Sequence, residues 1–340
     1  MHYTKNESNK AKPRRSPLWL PYLNNITEKP KGVFTFDYNG GSETTKLDTV
    51  QSIMIYGDSE VEMNIAMIDK ITRNGVPIII HRRNMAQPVY ICGGVRSDTK
   101  DTLSRQLILR SQSSKTKHIA RQLLLAKFRN CNWLVPASKI PRFSSLSKMR
   151  SIEATHAKKY WQAYFTELGY PEYTRRGKNP VSQALDASSK FISGIVLRWV
   201  TYHHLSPYHG FLHEPTDYPS LVYDLMEPTR GTFEKILLQS WVNGNAPTDK
   251  WLMSGIATIK DALNEKIYTG LTRQIVTRQE LLHGAVLSLK YYLHGNQRKF
   301  LVPIESKPNG GRPPKVSFLL YGRHAGRTDF WDEARRIAKD

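Results

Sequence analysis

Two textures of hydrophobic patterning divide the chain. From about Leu18 to Gly94 the apolar residues come in short runs: Val33-Phe34-Thr35-Phe36, Ser52-Ile53-Met54-Ile55-Tyr56, Val76-Pro77-Ile78-Ile79-Ile80 and Pro88-Val89-Tyr90-Ile91-Cys92. Runs of this length, bounded by Gly57-Asp58, Gly75 and Gly93-Gly94, predict strands. One helix interrupts them. Ser59 stands at an N-cap position with Glu62 three residues on, Ile65, Ile68 and Ile71 recur at helical spacing, and Gly75 closes the segment. Trp19, Tyr22, Phe34 and Phe36 are expected in the core of this region, not as a platform for bases.

Beyond about Asp98 the period becomes helical. The stretch Leu103 to Phe128 predicts one amphipathic helix, with Leu107, Ile108, Ile119, Leu123 and Leu124 inside and Arg105, Arg110, Lys117, Arg121 and Lys127 outside. Further helices are expected over 145–168, 181–202, 220–241, 248–268 and 277–294, with almost no strand signal between them. The polar, basic residues 1–17 predict a flexible start. Residues 307–315 (KPNGGRPPK) predict a linker, with Gly311-Arg312-Pro313 inside it, and a basic tail carrying Trp331, Arg335 and Arg336 runs to 340. The fold class is therefore α+β in two domains. A small β-rich, sandwich-like domain over 18–97 precedes a larger all-α domain over 98–306.

Charge narrows the partners. Fifty Lys plus Arg against 29 Asp plus Glu give +21, a surplus that repels itself unless a polyanion lies nearby, and nucleic acid is the commonest one. Only Cys92 and Cys131 occur, too few for a zinc knuckle or a disulfide framework. No apolar run approaches the roughly 18 residues of a membrane span, and no signal-peptide core follows the N-terminal lysines. A soluble intracellular protein is expected.

Three segments carry candidate chemistry. Asp224 and Glu227 lie three apart on a predicted helix and so share a face, where two carboxylates call for a cation; Arg230, one turn on, is one such cation. Glu153 sits between Ile152 and Ala154, with Ala157, Tyr160 and Trp161 following, and the small residues would let a second helix approach. His213 ends a loop containing Pro207, Tyr208, His209 and Gly210; His203, His204 and His209 are expected as loop or interface residues. Glu153, His213 and the 224/227 pair form an oxygen-rich ligand set with one imidazole, which suits Mg²⁺ or Mn²⁺ better than zinc.

In this order, the segments resemble the CRISPR-associated spacer-acquisition integrases, the Cas-one family. The resemblance rests on Glu153, Ala157, Tyr160 and Trp161, on Gly210-Phe211-Leu212-His213, and on Ser220, Leu221, Val222, Asp224, Leu225, Met226, Glu227 and Arg230. Fainter echoes are Asn179-Pro180-Val181, Gln106, Lys127 and Asn130. It implies an N-terminal dimerisation domain and a helical catalytic domain in a protein of the prokaryotic cytoplasm. It implies Glu153, His213 and Glu227 as ligands of Mg²⁺ or Mn²⁺, with Asp224 beside them as a ligand or a supporting carboxylate. Arg230 would sit on a phosphate oxygen, and Arg105, Arg110 and Lys178 would contact the DNA backbone. The implied partners are double-stranded DNA and a second copy of the chain. Two such dimers are usually bridged by a Cas-two dimer. The implied reaction is attack of a 3′-hydroxyl on a phosphodiester of the CRISPR repeat. The rival readings are a general metal-dependent endonuclease or branched-DNA resolvase, and a non-enzymatic architectural DNA-binding protein.

Overall fold

The protein, described by a computed structural model over residues 15–82, 87–93, 100–244, 248–308, 316–324 and 328–337, begins as two sheets. Its first elements are β1 (Ser16–Pro21), β2 (Leu23–Lys29), β3 (Val33–Tyr38), β4 (Gly41–Lys46), β5 (Val50–Tyr56), α1 (Ile65–Arg73), β6 (Ile78–His81) and β7 (Val89–Ile91). One sheet runs β1-β5-β6-β7, with β1, β5 and β6 parallel and β7 antiparallel at the edge. The other is the antiparallel meander β2-β3-β4. Every residue of β5 is buried, Gln51 and Ser52 included, and because alternate side chains face two cores the run Ile53 to Tyr56 has no polar break. Ile53 and Ile55 join Leu18, Leu20, Phe34, Phe36 and Ile78 in a core between the sheets. Met54 and Tyr56 join Trp19 and Ile79 in the core of the helical region.

The helices follow: α2 (Thr102–Ser111), α3 (Ser113–Asn130), α4 (Leu146–Glu167), α5 (Pro180–Tyr202), α6 (Ser220–Gly244) and α7 (Trp251–Asn264). After them come β8 (Lys266–Thr269), β9 (Gln274–Thr277), α8 (Arg278–Leu293), β10 (Arg323–His324) and α9 (Thr328–Ile337). The central element is α5, which starts on the Asn179 cap, with Pro180 in its first turn, and packs on α6, α7, α8 and the first sheet. The approach to the sheet is close. A Cβ at Gly194 would lie 2.5 Å from Ile79 Cδ1 and 2.8 Å from Ser52 Oγ. One turn on, buried Arg198 donates to the Gly75 carbonyl at 2.5 Å and to the Val50 and Gln51 carbonyls at 3.4 Å. The strand-rich and helical regions thus share one interior.

Several expectations are corrected. The helix of the first region starts on Asn64, whose side chain accepts from Met67 N; Ser59 instead donates to the Leu23 carbonyl. Tyr22 is not core: it has φ 49° and is half exposed. The helix expected over Leu103–Phe128 breaks at Gln112, and Leu103, Leu107 and Ile108 are exposed, while Lys127 is buried. The residues 266–277 form a hairpin where helix or loop was expected. Ser16 and Pro17 belong to β1, not to a flexible start. Part of the expected tail is ordered: Phe330 and Ala334 of α9 pack on Tyr268 and Ile275. The basic residues before Arg15, the boundary at 97/98 and the Gly311-Arg312-Pro313 segment lie outside the described residues. Among those described, no helix is long and apolar enough to cross a membrane.

Candidate active site

The site forms where α3, α4, α6 and the loop before α6 meet. That loop is built around Asp224. Fully buried on α6, its carboxylate accepts from the backbone N–H groups of Phe211 (2.5 Å), Leu212 (2.8 Å) and His213 (3.1 Å), and pairs with His213 Nδ1 at 2.6 Å. Only glycine fits at 210, since a Cβ there would stand 2.7 Å from the His213 carbonyl and 2.8 Å from Asp224 Oδ2. Gln106 of α2, also fully buried, donates to the Ser206 and His209 carbonyls. Arg110 donates to the Gly210 and Glu214 carbonyls, both at 2.8 Å, and Arg150 to that of Leu212. The loop is therefore held on three sides. With Nδ1 committed to Asp224, His213 is left with Nε2 as its available ring nitrogen.

Glu227, one turn after Asp224, faces α3 and α4. Lys127 of α3 stands between the acids, its ammonium 2.5 Å from Glu153 Oε1 and 2.7 Å from Glu227 Oε2. Arg230 holds the other Glu227 oxygen at 2.9 Å and reaches Glu234 at 3.4 Å. The Lys127 ammonium is the only partner of the buried Glu227 Oε2 among the described residues. Burial pushes the Glu227 carboxyl up, yet Lys127, Arg230 and His213 together hold it well below the usual carboxylate range. On His213 burial favours the neutral ring, and the hydrogen bond and charge of Asp224, then Glu227, outweigh it and raise its pKa. Four carboxylates (Glu153, Asp224, Glu227 and Glu234) surround two fixed cations, Lys127 and Arg230, so the cluster has charge to spare for a further cation.

The structure thus gathers Glu153, His213, Asp224 and Glu227, in two roles. Asp224 spends both oxygens on the loop and the imidazole, and Glu153 and Glu227 converge on an ammonium. For these reasons no group of three or more His, Cys, Asp or Glu stands as a finished metal cage among the described residues. The donor set nevertheless fits a hard divalent ion: two carboxylates that already converge on one cation, the Lys127 ammonium, and an imidazole oriented by a third carboxylate. Arg230 is engaged with Glu227 and Glu234, and Arg110 clamps the loop, so neither extends freely toward solvent for a phosphate as expected. Arg105 and Lys178 are exposed and away from these contacts. The close approach expected at Ala154 does not occur: Ala154 is exposed, and α4 buries Met149, His156, Tyr160 and Tyr164 instead.

Lys127 and Glu234 had no predicted role. Glu234 was visible in principle, since Glu227, Arg230 and Glu234 recur at i, i+3 and i+7 and so line one face. Lys127 was not, because a lysine on an amphipathic helix is ordinarily solvated.

A strand-rich region is thus joined to a helix bundle, with acids and a carboxylate-bound histidine gathered at one place in a strongly basic chain, an arrangement of the class that acts on polyanions. More particularly, the family profile of CRISPR associated protein Cas1 matches residues 25–251, and the chain belongs to that family. Among solved structures, a casposase bound to integration product is similar with a TM-score of 0.70 at 16% identity, over 84% of this chain and 93% of that one. A CAS1 protein from Thermotoga maritima gives 0.69 at 17%, over 86% and 100%. The chain is also similar to part of a Cas6-RT-Cas1–Cas2 complex, with 0.68 at 13% over 87% of this chain and 36% of that one. No curated protein matches by sequence.

Proposed function

We propose that the protein is a CRISPR adaptation integrase that joins the 3′-hydroxyls of a short DNA duplex to phosphodiesters of a repeat, using Mg²⁺ or Mn²⁺. One observation carries this reading. Glu227 is a buried carboxylate whose Oε2 meets only the Lys127 ammonium among the described residues, set between Glu153 of another helix and an imidazole fixed by Asp224. Glu153, Glu227 and His213 Nε2 would hold the ion, which supplies charge neutralisation at the phosphate and orients the attacking and leaving oxygens. Asp224 acts through His213: by accepting from Nδ1 it fixes the tautomer that leaves Nε2 free to ligate. Arg230 acts through Glu227, keeping its carboxylate ionised and aimed. The +21 surplus supplies attraction for duplex DNA outside the acidic pocket. Family membership, and likeness to a casposase bound to integration product and to a complex containing Cas1 and Cas2, support DNA and Cas2 as partners. A second copy of the chain and a bridging Cas2 dimer belong to the same proposal.

The test incubates purified protein, with and without Cas2, with a short duplex and a supercoiled plasmid carrying a repeat. Covalently joined products that need Mg²⁺ or Mn²⁺, and vanish in Glu153→Ala, His213→Ala and Glu227→Ala, are expected. Nicked plasmid without joining would show that water is the nucleophile and the protein a nuclease. Joining that survives chelation or Glu227→Ala would remove the metal site.

A further inference from the structure

The buried Lys127 ammonium lies within 2.7 Å of carboxylate oxygens on two different helices. A lysine in such a place needs a reason, because removing an ammonium from water costs several kcal/mol and its flexible stem loses rotamer freedom on being pinned. Burial lowers its tendency to hold a proton, and Glu227 and then Glu153 more than restore it, so the charged form is the one held there. Its usual partners would be a surface carboxylate, yet it bridges the two acids that the proposed function gives to a divalent ion. Without a cation between them, Glu153 and Glu227 would repel each other in a poorly solvated pocket.

We propose that Lys127 is a built-in stand-in cation: it neutralises Glu153 and Glu227 in the metal-free protein and must leave them for a divalent ion to bind. The inference rests on the metal-site reading and deepens it. Lys127 is a positioning residue, since it acts on the two carboxylates and not on DNA. Two consequences are built in. The ligands are preassembled before metal arrives, because the ammonium draws the carboxylates of α4 and α6 onto α3. Metal affinity is also held down by competition, because each binding event must break two short ion pairs within a single pocket. The competition is between charges of unlike size, and a compact ammonium on four methylenes can swing clear where a guanidinium with a planar fork would not.

The test measures Mn²⁺ binding directly, by the loss of the free-ion electron spin resonance signal, alongside thermal unfolding in chelator and in excess Mn²⁺. Wild type, Lys127→Met, Lys127→Arg and Glu227→Ala are compared at pH 8 as full-length protein without DNA. Lys127→Met is expected to bind Mn²⁺ at least tenfold more tightly than wild type, to unfold at lower temperature in chelator, and to gain more from Mn²⁺. Lys127→Arg, which keeps the charge on a group that does not swing clear, is expected to bind Mn²⁺ more weakly than wild type and to keep its chelator-state stability; it decides the matter if the methionine variant does not fold, equal or tighter binding being the contrary result. Lys127→Met binding Mn²⁺ equally or more weakly, while wild type binds and Glu227→Ala does not, would overturn the stand-in role and leave the metal site intact. Absence of site-specific Mn²⁺ binding in wild type, matched by Glu227→Ala, would instead overturn the metal-site reading itself.

Discussion

At the scale of single residues, the sharpest question is what Asp224 does. The sequence placed it beside Glu227 on one helical face, and spacing alone left both acids equally eligible as ligands. The structure separates them: Asp224 receives three backbone N–H groups and an imidazole, while Glu227 meets two cations. Replacing Asp224 by Ala would leave those three donors buried and unpaired, at about 1–3 kcal/mol each where water cannot reach them. Asp224→Ala should therefore lose about 3 kcal/mol or more in urea unfolding as well as activity. Glu153→Gln, which keeps shape and some hydrogen bonding at a half-buried position, should lose activity with little change in stability. Equal stability of wild type and Asp224→Ala would return Asp224 to the ligand set.

Among the elements, α5 and α8 meet through a stack that includes His203, which the sequence offered as a loop or interface residue. His283 lies on Trp199 at 3.6 Å between ring centres, and its Nε2 is 2.8 Å from Nε2 of His203. Lys290 donates to His203 Nδ1 at 3.2 Å, so the His203 Nε2–H donates its hydrogen bond to His283 Nε2 and both rings are neutral. Burial first, then His283 and Lys290, push the His203 pKa down to about 2; burial, then Lys290, push that of His283 down to about 3. Folded-state values below the ordinary 6.5 mean that the unfolded chain takes protons the folded one refuses. Stability is then full above about pH 6.5 and falls as pH drops from there toward 3, by about 1.4 kcal/mol per pH unit for each histidine. His283→Gln should flatten the urea-derived slope between pH 6 and 5 by about that amount, and an unchanged slope would show that His283 does not titrate this way. Only the existence of these helices was readable beforehand. Helical period located α4, α5, α6 and α8, and the structure adds that Ser145, Asn179 and Thr277 cap three of them where the apolar spacing starts. The Gln112 break was hidden, since no glycine or proline marks it and tertiary packing decides it. The β8–β9 hairpin did carry a turn signal, Gly270 between Ile267-Tyr268-Thr269 and Gln274-Ile275-Val276-Thr277, which the helical reading of 248–268 overrode.

For the whole molecule, two features follow from how regions are joined and how charge is distributed. The shared interior of sheet and helices makes Gly194 a joint: Gly194→Ala forces Ile79 and Ser52 aside and should cost about 1–3 kcal/mol. It should do so while the wild type unfolds in one transition, since Trp19, Met54 and Ile79 belong to the helical core; two resolved transitions in the wild type would show the regions to be independent. Charge is the broader matter. The surplus of +21 was plain in the sequence, but not that four acids would be concentrated where DNA chemistry is proposed. Without metal, those acids repel the very phosphate the surrounding lysines and arginines attract. Duplex affinity in chelator should fall steeply with salt, by roughly 10³-fold or more between 50 and 200 mM if six or more phosphates are neutralised. Glu227→Gln removes one buried negative charge from the pocket and should tighten chelator-state binding while abolishing joining. The reverse result, weaker binding by Glu227→Gln in chelator, would mean that the acid organises Lys127 and Arg230 for DNA instead of opposing the phosphate, because only loss of those two cations could outweigh the removed repulsion.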